Sequence, residues 1–147
     1  MFNFYCKIEI FGDPVPKSLV QGVNKIANSP KTQIAMNRRI MAIKNYMCQN
    51  NLKPIPKDKA IKIEIIYFHE PPKSLKTSEM VYKITKPDID NLTKLMLDCC
   101  TQANLWHDDS QVVYTILQDV YSTLDKKPKT VIIVSVGSEY EQYIDSP

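Results

Sequence analysis

"KTQIAMNRRIMAIKNYMCQNNLKPIPKDKAIKIEIIYFH", residues 31–69, changes its hydrophobic period partway along, and that change decides the fold class. From Lys31 to Asn50, the residues Ile34, Met36, Ile40, Met41, Ile43, Tyr46 and Met47 recur near helical spacing, interrupted by polar positions including Arg38, Arg39 and Lys44. This pattern predicts an amphipathic helix, whose apolar face suits either its own sheet or a subunit interface. Residues 51–59 carry Pro54 and Pro56 and read as a connector too short to divide two domains. Ala60 to His69 is then rich in β-branched residues, as a strand requires.

Working outward, residues 4–11, FYCKIEIF, set Cys6, Ile8 and Ile10 on one face and Lys7 and Glu9 on the other, the alternation of a half-buried strand. GDPVPK ends it. Residues 18–30, with Gly22, Asn24, Asn28 and Pro30, read as an irregular loop. Residues 70–87 lack periodicity and carry Pro71 and Pro72 with lysines at 73, 76, 83 and 86, and loops this long in compact domains are usually functional or disordered. A helix over about 88–103, a strand over 110–121, the turn LDKKPK and a strand over 129–136 complete the chain. The order β-α-β-loop-α-β-β predicts one α/β domain of the α+β type spanning residues 1–147. Its helices pack on a mixed sheet, and its last two strands form an antiparallel hairpin.

Composition narrows the function classes. Apolar runs such as Thr130 to Val136 fall far short of the roughly 20 residues of a bilayer span, and Met1 to Gly12 lacks the basic start of a signal peptide. Cys6, Cys48, Cys99 and Cys100 show no C-x-x-C spacing, and His69 and His107 are the only histidines, which argues against a zinc ribbon. Adjacent Cys99 and Cys100 diverge on a helix, so reduced thiols and a cytoplasmic setting are expected. The net charge of +3 is unevenly spread: residues 1–59 hold ten Lys or Arg against three acids, and residues 60–147 nine against thirteen. A basic part suits a polyanion, and gathered acids suit a cation.

The acids concentrate in "KPDIDNLTKLMLDCC", residues 86–100. Leu92, Leu95, Met96, Cys99 and Ala103 define a buried stripe, and Asp90, Lys94 and Asp98 share another face. One reading is structural: Asp88 caps the helix, Asp90 complements its dipole, and Lys94 bridges Asp90 and Asp98 for roughly 0.2 to 0.5 kcal/mol per pair. The other adds "NLWHDDSQVV", in which Asp108 and Asp109 follow the helix and a short return brings a carboxylate back to Asp88 and Asp90. Such carboxylates repel one another unless a divalent cation neutralises them. Mg²⁺, hard and oxygen-seeking, fits Asp88, Asp90 and Asp109, with Mn²⁺ as a substitute. Lys94 is then placed to stabilise a leaving oxygen in phosphodiester hydrolysis. Trp106 is expected to bury its ring and hold Asp109.

DIDNLTK and DDSQV, separated by an aliphatic helix and a Trp-containing turn, resemble the RusA-type Holliday junction resolvases, whose mark is D-x-D-N-x-x-K followed by D-D-x-Q-V. The likeness covers about residues 86–113, and GDPVPKS is similar to the family's proline-bearing first turn. It implies a Mg²⁺-dependent homodimeric endonuclease of bacterial or phage type that introduces paired nicks across four-way DNA junctions. Asp88, Asp90 and Asp109 would be its metal ligands, Lys94 its catalytic lysine, and Asn91 a supporting residue. Asn104 stands where the family often has glycine, and asparagine also tolerates the left-handed helix end. Lys73, Lys76, Lys83, Lys86, Arg38 and Arg39 are candidate DNA contacts. A non-catalytic branched-DNA-binding protein and a general metal-dependent nuclease are the rival readings.

Overall fold

In a computed structural model that describes residues 1–22, 25–75 and 78–138, five strands form one mixed sheet with two helices on one face. They are β1 (Asn3–Phe11), β4 (Lys59–His69), β5 (Val81–Tyr82), β6 (Val112–Tyr121) and β7 (Lys129–Ser138), with β2 (Leu19–Gly22) and β3 (Lys25–Asn28) as a separate antiparallel pair. Helix α1 (Pro30–Gln49) and helix α2 (Ile89–Gln102) match the predicted helices to within a residue or two. Residues 18–30, expected as an irregular loop, thus contain a short antiparallel strand pair.

The sheet order is β1-β7-β4-β6-β5. The expected hairpin of the last two strands does not form. β4 lies between them, pairing antiparallel with β7 and parallel with β6. The physical reason is burial: β4 alternates fully buried Ile61, Ile63, Ile65 and Tyr67 with half-buried positions, and such a strand gains most at the centre of a sheet.

One core joins these elements. Cys6, Ile8 and Ile10 of β1, the inward residues of β4, and Ile132 and Val134 of β7 meet Met36, Ile43 and Met47 of α1 and Leu92, Leu95, Met96, Cys99 and Cys100 of α2. The apolar face of α1 therefore serves its own sheet and α2, while Ile34 and Met41 on its far side stay exposed. Burial pushes the Cys6 and Cys99 thiols up to about 12, so both are inert at neutral pH, and all four cysteines are free. Among the described residues, no helix is long and apolar enough to cross a membrane.

Local signals set the helix ends. Ser29 caps α1, accepting from the Thr32 amide at 3.2 Å, with Pro30 at the first helical position. Beyond the end of α2, Asn104 adopts φ 63°, the left-handed conformation expected of it, and its amide donates to the Thr101 carbonyl at 3.0 Å.

Candidate active site

Asp88 occupies the N-cap of α2 in extended conformation, yet its side chain makes no capping bond. The expected cap is absent, and the exposed carboxylate is left for another partner. Asp90, one turn position into the helix, lies 4.0 Å from Lys94 Nζ, both well exposed. Lys94 does not extend to Asp98, which instead pairs with Lys17 at 2.7 Å. The Lys17 amide also donates to the Asn91 carbonyl at 3.3 Å, so the turn after β1 is fastened along α2. Two acids and a lysine thus share the exposed start of this helix.

Asp109 lies elsewhere. Its Oδ1 accepts from the Thr101 hydroxyl and from the Trp106 indole N–H at 3.3 Å, both at the far end of α2. Between Asp90 and Thr101 the helix rises about 16 Å. The expected return of Asp109 to Asp88 and Asp90 therefore does not occur within one chain. No group of three or more candidate metal-binding side chains forms among the described residues. The reason is the length of α2 and the buried Trp106, 1% exposed, which holds the acidic turn to the helix end as its sequence position suggested.

That turn is rigidly built. Asp108 accepts from the Ser110 amide at 2.8 Å, which holds its carboxyl below the usual range. Gln111 completes a capping box, accepting from the His107 and Asp108 amides at 2.9 and 3.1 Å. Its Nε2 donates to the carbonyls of Pro56 and Lys59 at 2.9 and 3.1 Å, tying the turn to the start of β4. The D-x-x-Q spacing of Asp108 and Gln111 was a readable signal for this clamp. His107 is an exposed surface residue.

At the Asp88 end, a cleft of about 600 Å³ is lined by Asp13, Lys31, His69, Lys83, Thr85, Lys86, Pro87 and Tyr121. Its lining ends one residue before Asp88. Lys83 is buried, with 6% of its side chain exposed, and its Nζ donates to the carbonyls of Thr85 and Pro87 and lies 4.0 Å from Asp119. Asp119 also bonds His69 Nε2 at 2.5 Å. Burial pushes the His69 imidazole below its ordinary value, with Asp119 opposing the shift. Lys83 is therefore a brace for the segment that delivers Asp88 rather than an exposed DNA contact.

Of the other DNA-contact candidates, Lys73, Lys86 and Arg38 are exposed, and Lys76 lies outside the described residues. Arg39 is buried at 6% exposure and donates to the carbonyls of Ala35 at 3.1 Å and Asp13 at 2.9 Å. It is a structural residue, because an amphipathic helix can turn one arginine of a pair inward when backbone carbonyls accept it. Sequence reasoning also missed the buried Lys83–Asp119–His69 group, since its members lie on three separate segments and no local pattern links them.

No curated protein matches the chain significantly. The family model of the endodeoxyribonuclease RusA matches residues 14–135, which span the basic first part, the cleft, α2 and the acidic turn. The chain belongs to the RusA endodeoxyribonuclease family, a family of Holliday junction nucleases.

Proposed function

We propose that this nuclease resolves four-way DNA junctions by paired, Mg²⁺-dependent nicks. The observation that carries the reading is Asp88: an N-cap carboxylate with no capping bond, beside Asp90 and Lys94, at the end of a lysine-bearing cleft. Two exposed carboxylates are a donor set that suits a hard cation, since Mg²⁺ is commonly held by one or two carboxylates together with water and substrate phosphate. Asp88 and Asp90 would hold it. When bound, the ion supplies a water of lowered pKa and positive charge at the phosphate.

The chain's own residues do the rest. Lys31 and Lys86 line the cleft and attract a phosphodiester strand, the sequence-independent part of DNA binding. Lys83 keeps the Thr85–Pro87 carbonyls in one arrangement, so Asp88 meets the strand in a fixed position. Lys94, exposed and 4.0 Å from Asp90, would set its ammonium beside the leaving oxygen.

Cleavage of a labelled synthetic four-way junction beside a matched linear duplex, with Mg²⁺, with Mn²⁺ and with chelator, tests the proposal. Symmetric nicks confined to the junction and lost with chelator support it. Duplex cleavage of equal rate favours a general nuclease, and tight junction binding without nicking in either metal favours a binding protein.

A further inference from the structure

The proposed chemistry leaves a second cleft unused. It has a volume of about 560 Å³ and lies between the end of β1 and α1, where Phe11, Asp13, Val15, Lys31, Ile34 and Arg38 line it. Asp13, Val15 and Lys31 also line the cleft that ends at Pro87, so the two clefts form one trough across the turn that follows β1. That turn is held on both sides. Arg39 ties α1 to the Asp13 carbonyl at 2.9 Å, and the Gly12 amide donates to the Pro128 carbonyl at 3.0 Å.

The charges of the second cleft are divided between engaged and unengaged groups. Glu9, also in its lining, pairs with Lys129 at 3.3 Å, and Asp13 Oδ1 accepts from the Glu70 amide at 2.9 Å. Lys31 and Arg38 are exposed and form no ion pair with a described residue. They stand almost two turns apart on one face of α1, about 10.5 Å along its axis. Between them Ile34 is 57% exposed, and on the β1 side Phe11 is 64% exposed. The cleft therefore offers unpaired cations together with an uncovered aromatic ring.

A duplex presents its phosphates and keeps its bases inside, so it satisfies the cations and leaves Phe11 and Ile34 uncovered. A strand with unpaired bases offers phosphates and base faces together, and a basic groove with an aromatic ring in it is suited to such a strand whatever its sequence. We infer that the second cleft carries a few unpaired nucleotides of the DNA strand that passes through the Asp88 cleft, with phosphates at Lys31 and Arg38 and a base stacked on Phe11. This rests on the proposed junction-nicking reading and adds to it a reason for preferring branched DNA. Unpairing costs free energy in a continuous duplex and costs least where pairing or stacking is already interrupted, as at the centre of a four-way junction. Branched DNA fills both halves of the trough, and a linear duplex fills one.

Binding of labelled oligonucleotides in the presence of chelator gives the test, since no cleavage is needed. A thymidine strand of about 12 nucleotides, within the span that one such groove holds, carries 2-aminopurine, whose fluorescence stacking quenches. Wild type should bind the strand and quench the base. Phe11→Ala should lower the ratio of single-strand to duplex affinity about tenfold and remove the quenching. Phe11→Trp should restore both, and Phe11→Leu, which is apolar without a ring, should restore neither. Arg38→Glu should weaken binding of the strand and reduce its salt dependence by about one phosphate contact.

Phe11 is exposed, so loss of fold is not the expected outcome, and circular dichroism checks it. Should Phe11→Ala fail to fold, the contrast between Phe11→Trp and Phe11→Leu still decides. Equal quenching by those two variants overturns the stacking of a base on Phe11. Failure of wild type to bind the strand, or binding unchanged in both Phe11→Ala and Arg38→Glu, overturns the whole assignment even if the enzyme nicks junctions. Binding that depends on both residues, in a protein that nicks no junction with Mg²⁺ or Mn²⁺, keeps the single-strand site and removes the junction-nicking reading instead.

Discussion

The two ends of α2 hold acids under opposite constraints. At its start, Asp88 is free of its cap and Asp90 has only an exposed lysine at 4.0 Å. At its end, Asp109 is held by Thr101 and Trp106, Asp108 caps its turn, and Gln111 makes four hydrogen bonds, two within the turn and two to the Pro56 and Lys59 carbonyls at the start of β4. A carboxylate held in place by its own chain contributes to stability, and one left unengaged beside another acid is available to a ligand. Chemistry is thus concentrated at one end of the helix and fixed geometry at the other.

The largest expected effect breaks the fixed end. Trp106→Ala removes a fully buried ring and the indole N–H that donates to both Thr101 Oγ1 and Asp109 Oδ1, and should lower unfolding free energy by about 3–5 kcal/mol. Urea unfolding measures it. At the open end the pattern should reverse. Asp90→Asn and Lys94→Ala, both exposed, should change stability by no more than about 0.5 kcal/mol. Yet each should lower junction nicking by about 10²–10³-fold while binding survives. If Asp90→Asn costs as much stability as Trp106→Ala, the contrast between the ends is wrong.

This contrast was partly legible in the sequence. Period-3.6 and β-branched patterns located both helices and the four long strands, because burial of a stripe or a face leaves a local trace. The parallel pairing of β4 with β6 left none, since it depends on which strands the whole sheet buries deepest. The DIDN and DDSQ segments were visible as acids, but sharing one site within the chain was expected and does not occur. Sequence spacing gives no measure of the about 16 Å along α2 that separates Thr101 from Asp90. Arg39 and Lys83 were read as surface cations because nothing local shows that backbone carbonyls wait to receive them.

The same distinction between exposed and engaged cations sets a smaller effect. Lys86→Glu, in the cleft lining and exposed, should weaken junction binding similarly across sequences and reduce the salt dependence of binding by about one phosphate contact. Titrations at several salt concentrations measure that slope. An unchanged slope would remove Lys86 from the DNA path.

The smallest expected effect belongs to His69. Burial favours its neutral form, Asp119 and Asp13 oppose that shift, and Lys83 reinforces it, leaving the imidazole below its ordinary value near 6.5. The sign follows from proton uptake. Below about 6.5 the unfolded chain binds a proton that the folded chain resists, so this group's contribution is intact above that pH and lost as pH falls towards the folded value. Urea midpoints at pH 7.5 and 5.5 should therefore fall further for wild type than for His69→Gln, which keeps a donor for Asp119 but does not titrate. A smaller fall for wild type than for His69→Gln would mean that His69 takes up its proton more readily in the folded chain than in the unfolded one. The brace behind Asp88 would then be an ion pair, held more tightly in acid than in neutral solution.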